Sequence, residues 1–193
     1  MQNRMKKNRM MKTMAAGCLG LALGGLAGGG AQAQTPEAAP VTKPITIKLG
    51  AFFPSDSALK DVIGKTWFNA GADYAFSKVG DQQNLMPLAY VDYAGKSGNG
   101  LTVSYVGVGP GVRYYLSPPG AGTVTPYVGA GLGAYFLRAS GGGDSANKTK
   151  FGFKLNAGVE FQQMYLVEAS YTNAGSESGT RFDGFNLQVG VRF

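Results

Sequence analysis

From Ile45 onward, apolar residues alternate with small, polar or charged ones in short stretches, which are separated by clusters of Gly, Ser, Asn, Asp and Pro. Successive side chains of a β-strand point to opposite faces, so this period of two predicts strands, and no stretch carries convincing helical periodicity. Eight strands are expected, at 45–53, 66–76, 88–93, 103–116, 125–137, 150–161, 164–172 and 184–193. Most have the roughly 9–11 residues with which a tilted strand crosses a bilayer. Gln162-Gln163 reads as a tight turn, and longer connections are expected near 54–65, 94–102, 139–149 and 173–183. Pro110 falls inside the fourth strand, where it cannot donate a ladder bond, so a bulge or local kink is expected there. The third strand is short and 77–87 is long for a turn, so pairing around strands two to four is the least defined.

Each strand splits into two rows. One row begins Ile45, Ile47, Leu49, Ala51, Phe53 and ends Phe185, Leu187, Val189, Val191, Phe193, and its 40 positions over the eight strands hold no charged residue. The other row holds Lys48, Asp73, Asp92, Arg113, Lys154, Glu160, Glu168 and Arg192, four basic and four acidic, interleaved with glycines such as Gly50, Gly71, Gly107, Gly131 and Gly158. Two barrels fit this pattern: a soluble one with the apolar row inside, and a membrane one with that row facing lipid.

Three features choose the membrane barrel. Balanced charges among many glycines suit a narrow interior, where ionised groups must pair and large side chains meet across the axis. Aromatic residues gather toward strand ends, Phe52, Phe53, Trp67, Phe68, Tyr135 and Phe136 toward one rim and Tyr74, Phe76, Tyr114, Tyr115, Phe161 and Tyr165 toward the other, as at membrane interfaces. The connections also alternate between tight and longer.

Charge first suggests a nucleic-acid partner, since 18 basic and 11 acidic side chains give +7. Five of the basic residues lie in the first twelve positions, followed by an apolar run of small residues from Met14 to Gly30 and then Ala31-Gln32-Ala33. A charged start, an apolar run and an A-x-A site predict a signal peptide, 1–33, removed on export. The rival readings are a transmembrane anchor, for which the run is short and glycine-rich, and a lipoprotein signal at Cys18, which lacks the usual preceding leucine and falls too early. Beyond the predicted cleavage site, residues 34–193 carry 13 basic and 11 acidic side chains, so the nucleic-acid reading fails. Residues 34–44, with three prolines, are expected to form a flexible periplasmic lead-in to a barrel at 45–193.

Composition narrows the chemistry further. The chain has 31 glycines, 11 phenylalanines, 10 tyrosines, one cysteine and no histidine. Imidazole catalysis and histidine-ligated metals are thereby excluded, and the lone cysteine can build neither an internal disulfide nor a zinc site. Gly95-Lys96-Ser97 echoes the end of a P-loop, but position 90 is Tyr and no βαβ unit surrounds it, so it reads as a loop. Gly129-Ala-Gly131-Leu-Gly133 imitates a dinucleotide fingerprint, yet period two continues through it. A single acid, Asp144, is far short of a calcium loop. No cofactor is expected.

On these residues the chain resembles the small eight-stranded outer-membrane barrels of bacteria, of the OmpA membrane-domain, OmpX and OmpW type. The most specific element is the final Phe185-Asn-Leu-Gln-Val-Gly-Val-Arg-Phe193. Pro126-Tyr-Val-Gly-Ala-Gly-Leu-Gly-Ala-Tyr135 is similar to a glycine-rich strand common in that family. The resemblance implies an all-β, antiparallel, up-and-down transmembrane barrel with both termini periplasmic. It also implies an outer-membrane location, contact with outer-membrane lipids and lipopolysaccharide, and an assembly signal at Phe185, Leu187, Val189, Val191 and Phe193 for the barrel-assembly machinery. The family's lipid A deacylases and acyltransferases use a catalytic histidine that has no counterpart here, so no enzyme is expected. Three roles stay open: a scaffold presenting external loops, a narrow pore for small or apolar solutes, and a soluble periplasmic ligand-binding barrel.

Overall fold

The computed structural model describes residues 39–78, 84–118, 123–177 and 180–193. The expected signal peptide and the first part of the expected lead-in lie outside the described residues. Among the described residues the strands are β1 (Ala39–Pro40), β2 (Ile45–Pro54), β3 (Trp67–Ala75), β4 (Ser77–Lys78), β5 (Leu85–Gly98), β6 (Leu101–Tyr115), β7 (Val124–Gly141), β8 (Asp144–Phe161), β9 (Tyr165–Glu177) and β10 (Thr180–Arg192), with one helix, α1 (Ser57–Ile63). Eight of them close a barrel in chain order, β2-β3-β5-β6-β7-β8-β9-β10, every neighbour antiparallel. The seam joins β10 to β2 from Thr46↔Arg192 to Pro54↔Gly184.

The two rows separate as a membrane barrel requires. Ile47, Leu49, Phe68, Val91, Val128, Leu132, Leu155, Leu187 and Val189 are all exposed on the outside. All eight charged residues of the opposite row are buried inside. An apolar exterior around a charged core is the inverse of a soluble barrel and suits lipid.

Glycines admit tyrosine rings into this narrow interior. A Cβ on Gly107 would sit 2.5 Å from the Tyr135 ring, and one on Gly158 would sit 2.6 Å from both the Tyr127 ring and the carbonyl oxygen of Val167. Gly158→Ala is therefore expected to displace Tyr127 and destabilise the barrel by about 1–3 kcal/mol. Urea unfolding followed by Trp67 fluorescence checks this, and an unchanged midpoint would show the contact to be slack.

The half of the barrel with the β5–β6, β7–β8 and β9–β10 connections differs most from expectation. The segment 94–102 is not a loop: β5 runs through Gly95, Lys96 and Ser97 to Gly98, and β6 restarts at Leu101. Asn99 and Gly100 form the whole connection, with φ of 53° and 73°. That is the left-handed pair a twisted two-residue hairpin needs. Likewise 139–149 is strand apart from Gly142-Gly143, and 173–183 belongs to β9 and β10 except for positions 178 and 179, which lie outside the described residues. β7 and β8 pair as far as Gly141↔Asp144, whereas β8 meets β9 only from Phe153↔Asn173, so the sheet rises as an uneven wall.

Two further expectations change. Pro110 causes no bulge: its pairing with Ala89 continues the β5–β6 register, and the register to β7 is the same on either side, with only Gly109 and Pro110 skipped. The missing N–H is absorbed as an interrupted ladder rather than a slip. At the other end, Ala39–Pro40, expected as flexible chain, pair with Ser77–Lys78, and Val41 packs against the lower interior cluster.

Candidate functional site

Six of the predicted charged residues meet at the centre of the barrel, each from a different strand. Lys48 Nζ lies 2.8 Å from Asp73 Oδ1 and 3.2 Å from Glu168 Oε1. Arg113 Nη2 lies 3.0 Å from Asp73 Oδ2 and 3.4 Å from Glu168 Oε2, and Lys154 Nζ lies 2.8 Å from Asp92 Oδ2 and 3.4 Å from Glu168 Oε1. Three cations thus face three carboxylates, the arrangement in which burial of charge is tolerated. Glu168 is the hub, because Tyr127 Oη donates to it at 3.0 Å and Asn156 Nδ2 at 2.8 Å. The Arg113 guanidinium also lies 4.2 Å from the centre of the Tyr127 ring. The space left beside this network, bounded by Lys48, Arg113 and Lys154, is about 20 Å³. That is room for about one water molecule.

The other two charged residues stand apart, toward the mouth at the end of β10. Arg192 Nη1 bonds Glu160 Oε1 at 2.8 Å, and Tyr115 Oη donates to Glu160 Oε2 at 3.0 Å. The structure therefore divides the predicted set of eight into a group of six and a pair.

Above the network lies a neutral polar layer that the alternation pattern did not single out. Gln188 Nε2 donates to Asn69 Oδ1, and Asn186 Nδ2 donates to Ser170 Oγ at 3.2 Å and Thr172 Oγ1 at 3.1 Å. All share the inward phase of the charged residues, which was the available signal. Phe52, Trp67, Tyr115 and Tyr135, expected at the membrane rims, also have the inward phase and are buried. The outward aromatics at the rims are Phe53, Phe68 and Phe136 at one end and Tyr74, Phe76, Tyr114 and Tyr165 at the other.

The mouth away from the chain's last residue is stoppered by α1, where no helix was expected. Asp56 Oδ1 caps it by accepting from Leu59 N–H at 3.2 Å, and Gly64, with φ of 103°, ends it. Leu59 and Ile63, one turn apart, point into a cluster with Phe52, Trp67, Tyr105 and Leu137. Trp67 Nε1 donates to the Gly64 carbonyl at 3.0 Å. Asp56 Oδ2 also accepts from the Arg181 N–H at 3.0 Å, tying the helix to the start of β10.

These bonds, that to Arg181 first, hold the Asp56 carboxyl below its ordinary value. A lowered folded pKa gives stability that is present above the unfolded value and is lost as pH falls through the folded one. On acid titration the Leu59 and Arg181 amide resonances should therefore move together with a midpoint below about 3.9. A midpoint at or above that value in the NMR titration would contradict the tether.

The residues of the expected assembly signal, Phe185, Leu187, Val189, Val191 and Phe193, line the outer face of β10 and the residue after it, all but Val191 strongly exposed.

Residues 19–193 match the family described as the outer membrane protein beta-barrel domain. No curated protein matches the chain. Among solved structures, the chain is similar to Neisserial surface protein A (NspA), with 18% identity, 77% of this chain and 94% of that one covered, and a TM-score of 0.60. It is also similar to the outer membrane enzyme PagL, with 13% identity, coverage of 77% and 98%, and a TM-score of 0.55. A third similar structure is Ail, the attachment invasion locus protein of Yersinia pestis, with 17% identity, coverage of 78% and 97%, and a TM-score of 0.50. At these identities the shared property is the fold.

Proposed function

The chain belongs to the outer membrane protein beta-barrel family, which places it in the bacterial outer membrane, and we propose that within it the protein is a closed, non-conducting scaffold. The observation that carries this reading is the filled interior. A neutral network of six charges leaves about 20 Å³ beside it, and the helix α1 packs an apolar stopper at one mouth. A conduction path would need continuous water past Arg113, where the guanidinium instead bridges Asp73 and Glu168.

The scaffold's working surfaces are then its outside and its upper wall. The apolar belt contacts membrane lipid, and outward-facing Arg138, two residues above Phe136 on β7, stands at the height where a lipopolysaccharide phosphate would meet it. The outward row of β10 is read as the signal for the assembly machinery. We read the protein as non-catalytic: it has no histidine, and its buried carboxylates are committed to cations.

Planar-bilayer recording of the refolded protein tests the proposal. The wild type should insert and stay electrically silent. Steady channels whose conductance changes in Arg113→Ala would identify a pore and overturn the scaffold reading.

A further inference from the structure

At the mouth by the end of β10 the barrel opens into a recess of about 440 Å³, lined by Lys43, Lys78, Arg192, Thr42 and the Gln162-Gln163 turn. Its lining contains no acid and three cations, of which, among the described residues, Arg192 is paired with Glu160 and the two lysines are not. The carboxylate behind it, Glu160, is already bonded by Arg192 and Tyr115 on the interior side. Neither Lys43 nor Lys78 has a carboxylate within ion-pair distance among the described residues. Partial burial, and then repulsion from Arg192, hold the Lys78 ammonium below its ordinary pKa, partly offset by attraction to Glu160.

The frame around it is built rather than incidental. Pairing of Ala39 with Lys78 fixes one lysine, and the run from β1 into β2 fixes the other. Gln162 and Gln163 both adopt left-handed φ, 51° and 55°, and Met164 N–H closes the turn on Phe161 O at 3.0 Å. Asn or Gly would take that backbone with less strain, so two glutamines there place two long amide side chains at the recess at a conformational cost.

We propose that this recess binds a phosphate-class oxyanion, with Lys43 and Lys78 supplying charge and the glutamine and threonine side chains supplying neutral donors. Lysine ammoniums suit phosphate as mobile point charges. The phosphate can come from two sources: a phospholipid headgroup of the adjacent inner leaflet, or a soluble phosphate ester.

The experiment titrates inorganic phosphate into the protein purified in zwitterionic micelles and follows the glutamine side-chain amides by NMR. Saturable shifts at Gln162 and Gln163 are expected, weakened about tenfold in Lys43→Gln/Lys78→Gln and weakened in the wild type by added salt. Lys60→Gln, at the opposite mouth, should bind as the wild type does. A second arm places the protein in nanodiscs with and without phosphatidylglycerol. Shifts that require this lipid and the two lysines, without a response to inorganic phosphate, assign the site to a headgroup. Unaltered heat-modifiable gel mobility shows that the double variant folds; should it fail to fold, the single variants and the salt dependence of the wild type carry the test. Absence of saturable shifts in both arms, or equal binding by the lysine variants, overturns the proposal.

Discussion

Replacing Glu168 with alanine is expected to cost about 3–5 kcal/mol of barrel stability, the penalty for stranding buried charge. The carboxylate lies 3.2–3.4 Å from Lys48, Arg113 and Lys154 at once, and is fully buried. Its loss leaves three interior cations with two carboxylates and removes the acceptor for Tyr127 and Asn156. Glu168→Gln keeps the shape and part of the hydrogen bonding while removing the charge, so it should fall between alanine and wild type. Trp67, the sole tryptophan and itself buried in the barrel, reports unfolding in a urea titration. If alanine and glutamine shift the midpoint equally, charge rather than hydrogen bonding is what Glu168 supplies. If neither shifts it, the network is not holding the barrel together.

A charge on the lipid side should cost comparably, for a different reason. Leu155 faces outward midway along the membrane part of β8, paired with Ala130 and Tyr171. Leu155→Lys puts an ammonium into hydrocarbon and should destabilise by about 2–4 kcal/mol, with reduced membrane yield. Thr149→Lys lies three outward positions higher on the same row, beside Phe136, and should cost no more than about 1 kcal/mol. The contrast between the two, measured by refolding into lipid vesicles in urea, is the test. Equal effects would mean that the outward row does not sense a bilayer.

The barrel and its inside-out polarity were legible because lipid and a packed interior impose opposite chemistry on alternate residues, and the pattern of Lys48, Asp73, Arg113 and Glu168 preserves that alternation. Above the membrane the constraint ends. Residues 138–149 meet water on the outer face, so their alternation fades and continuous strand reads as loop. The turn signals Asn99-Gly100 and Gly142-Gly143 were nonetheless present, and they mark the hairpins that the polarity pattern missed. The helix α1 is too short to show a period, with only Leu59 and Ile63 turned inward, although Asp56 and Gly64 bracket it with recognisable caps. Phase alone would have put Phe52, Trp67, Tyr115 and Tyr135 inside rather than at the rims. Which charge meets which could not be read, because partners across the axis depend on strand tilt and shear, quantities that no single segment encodes.

The seam between β2 and β10 bears on how the protein is made. Ile47 pairs with Val191, residues nearly the full length of the barrel domain apart, so the hydrogen-bonded ring is completed only once the last strand has been delivered. Until then β2 offers an open edge, and the apolar exterior has no lipid to cover it. Closure of the ring is thus the last step of its assembly, the meeting of its first strand with its final one.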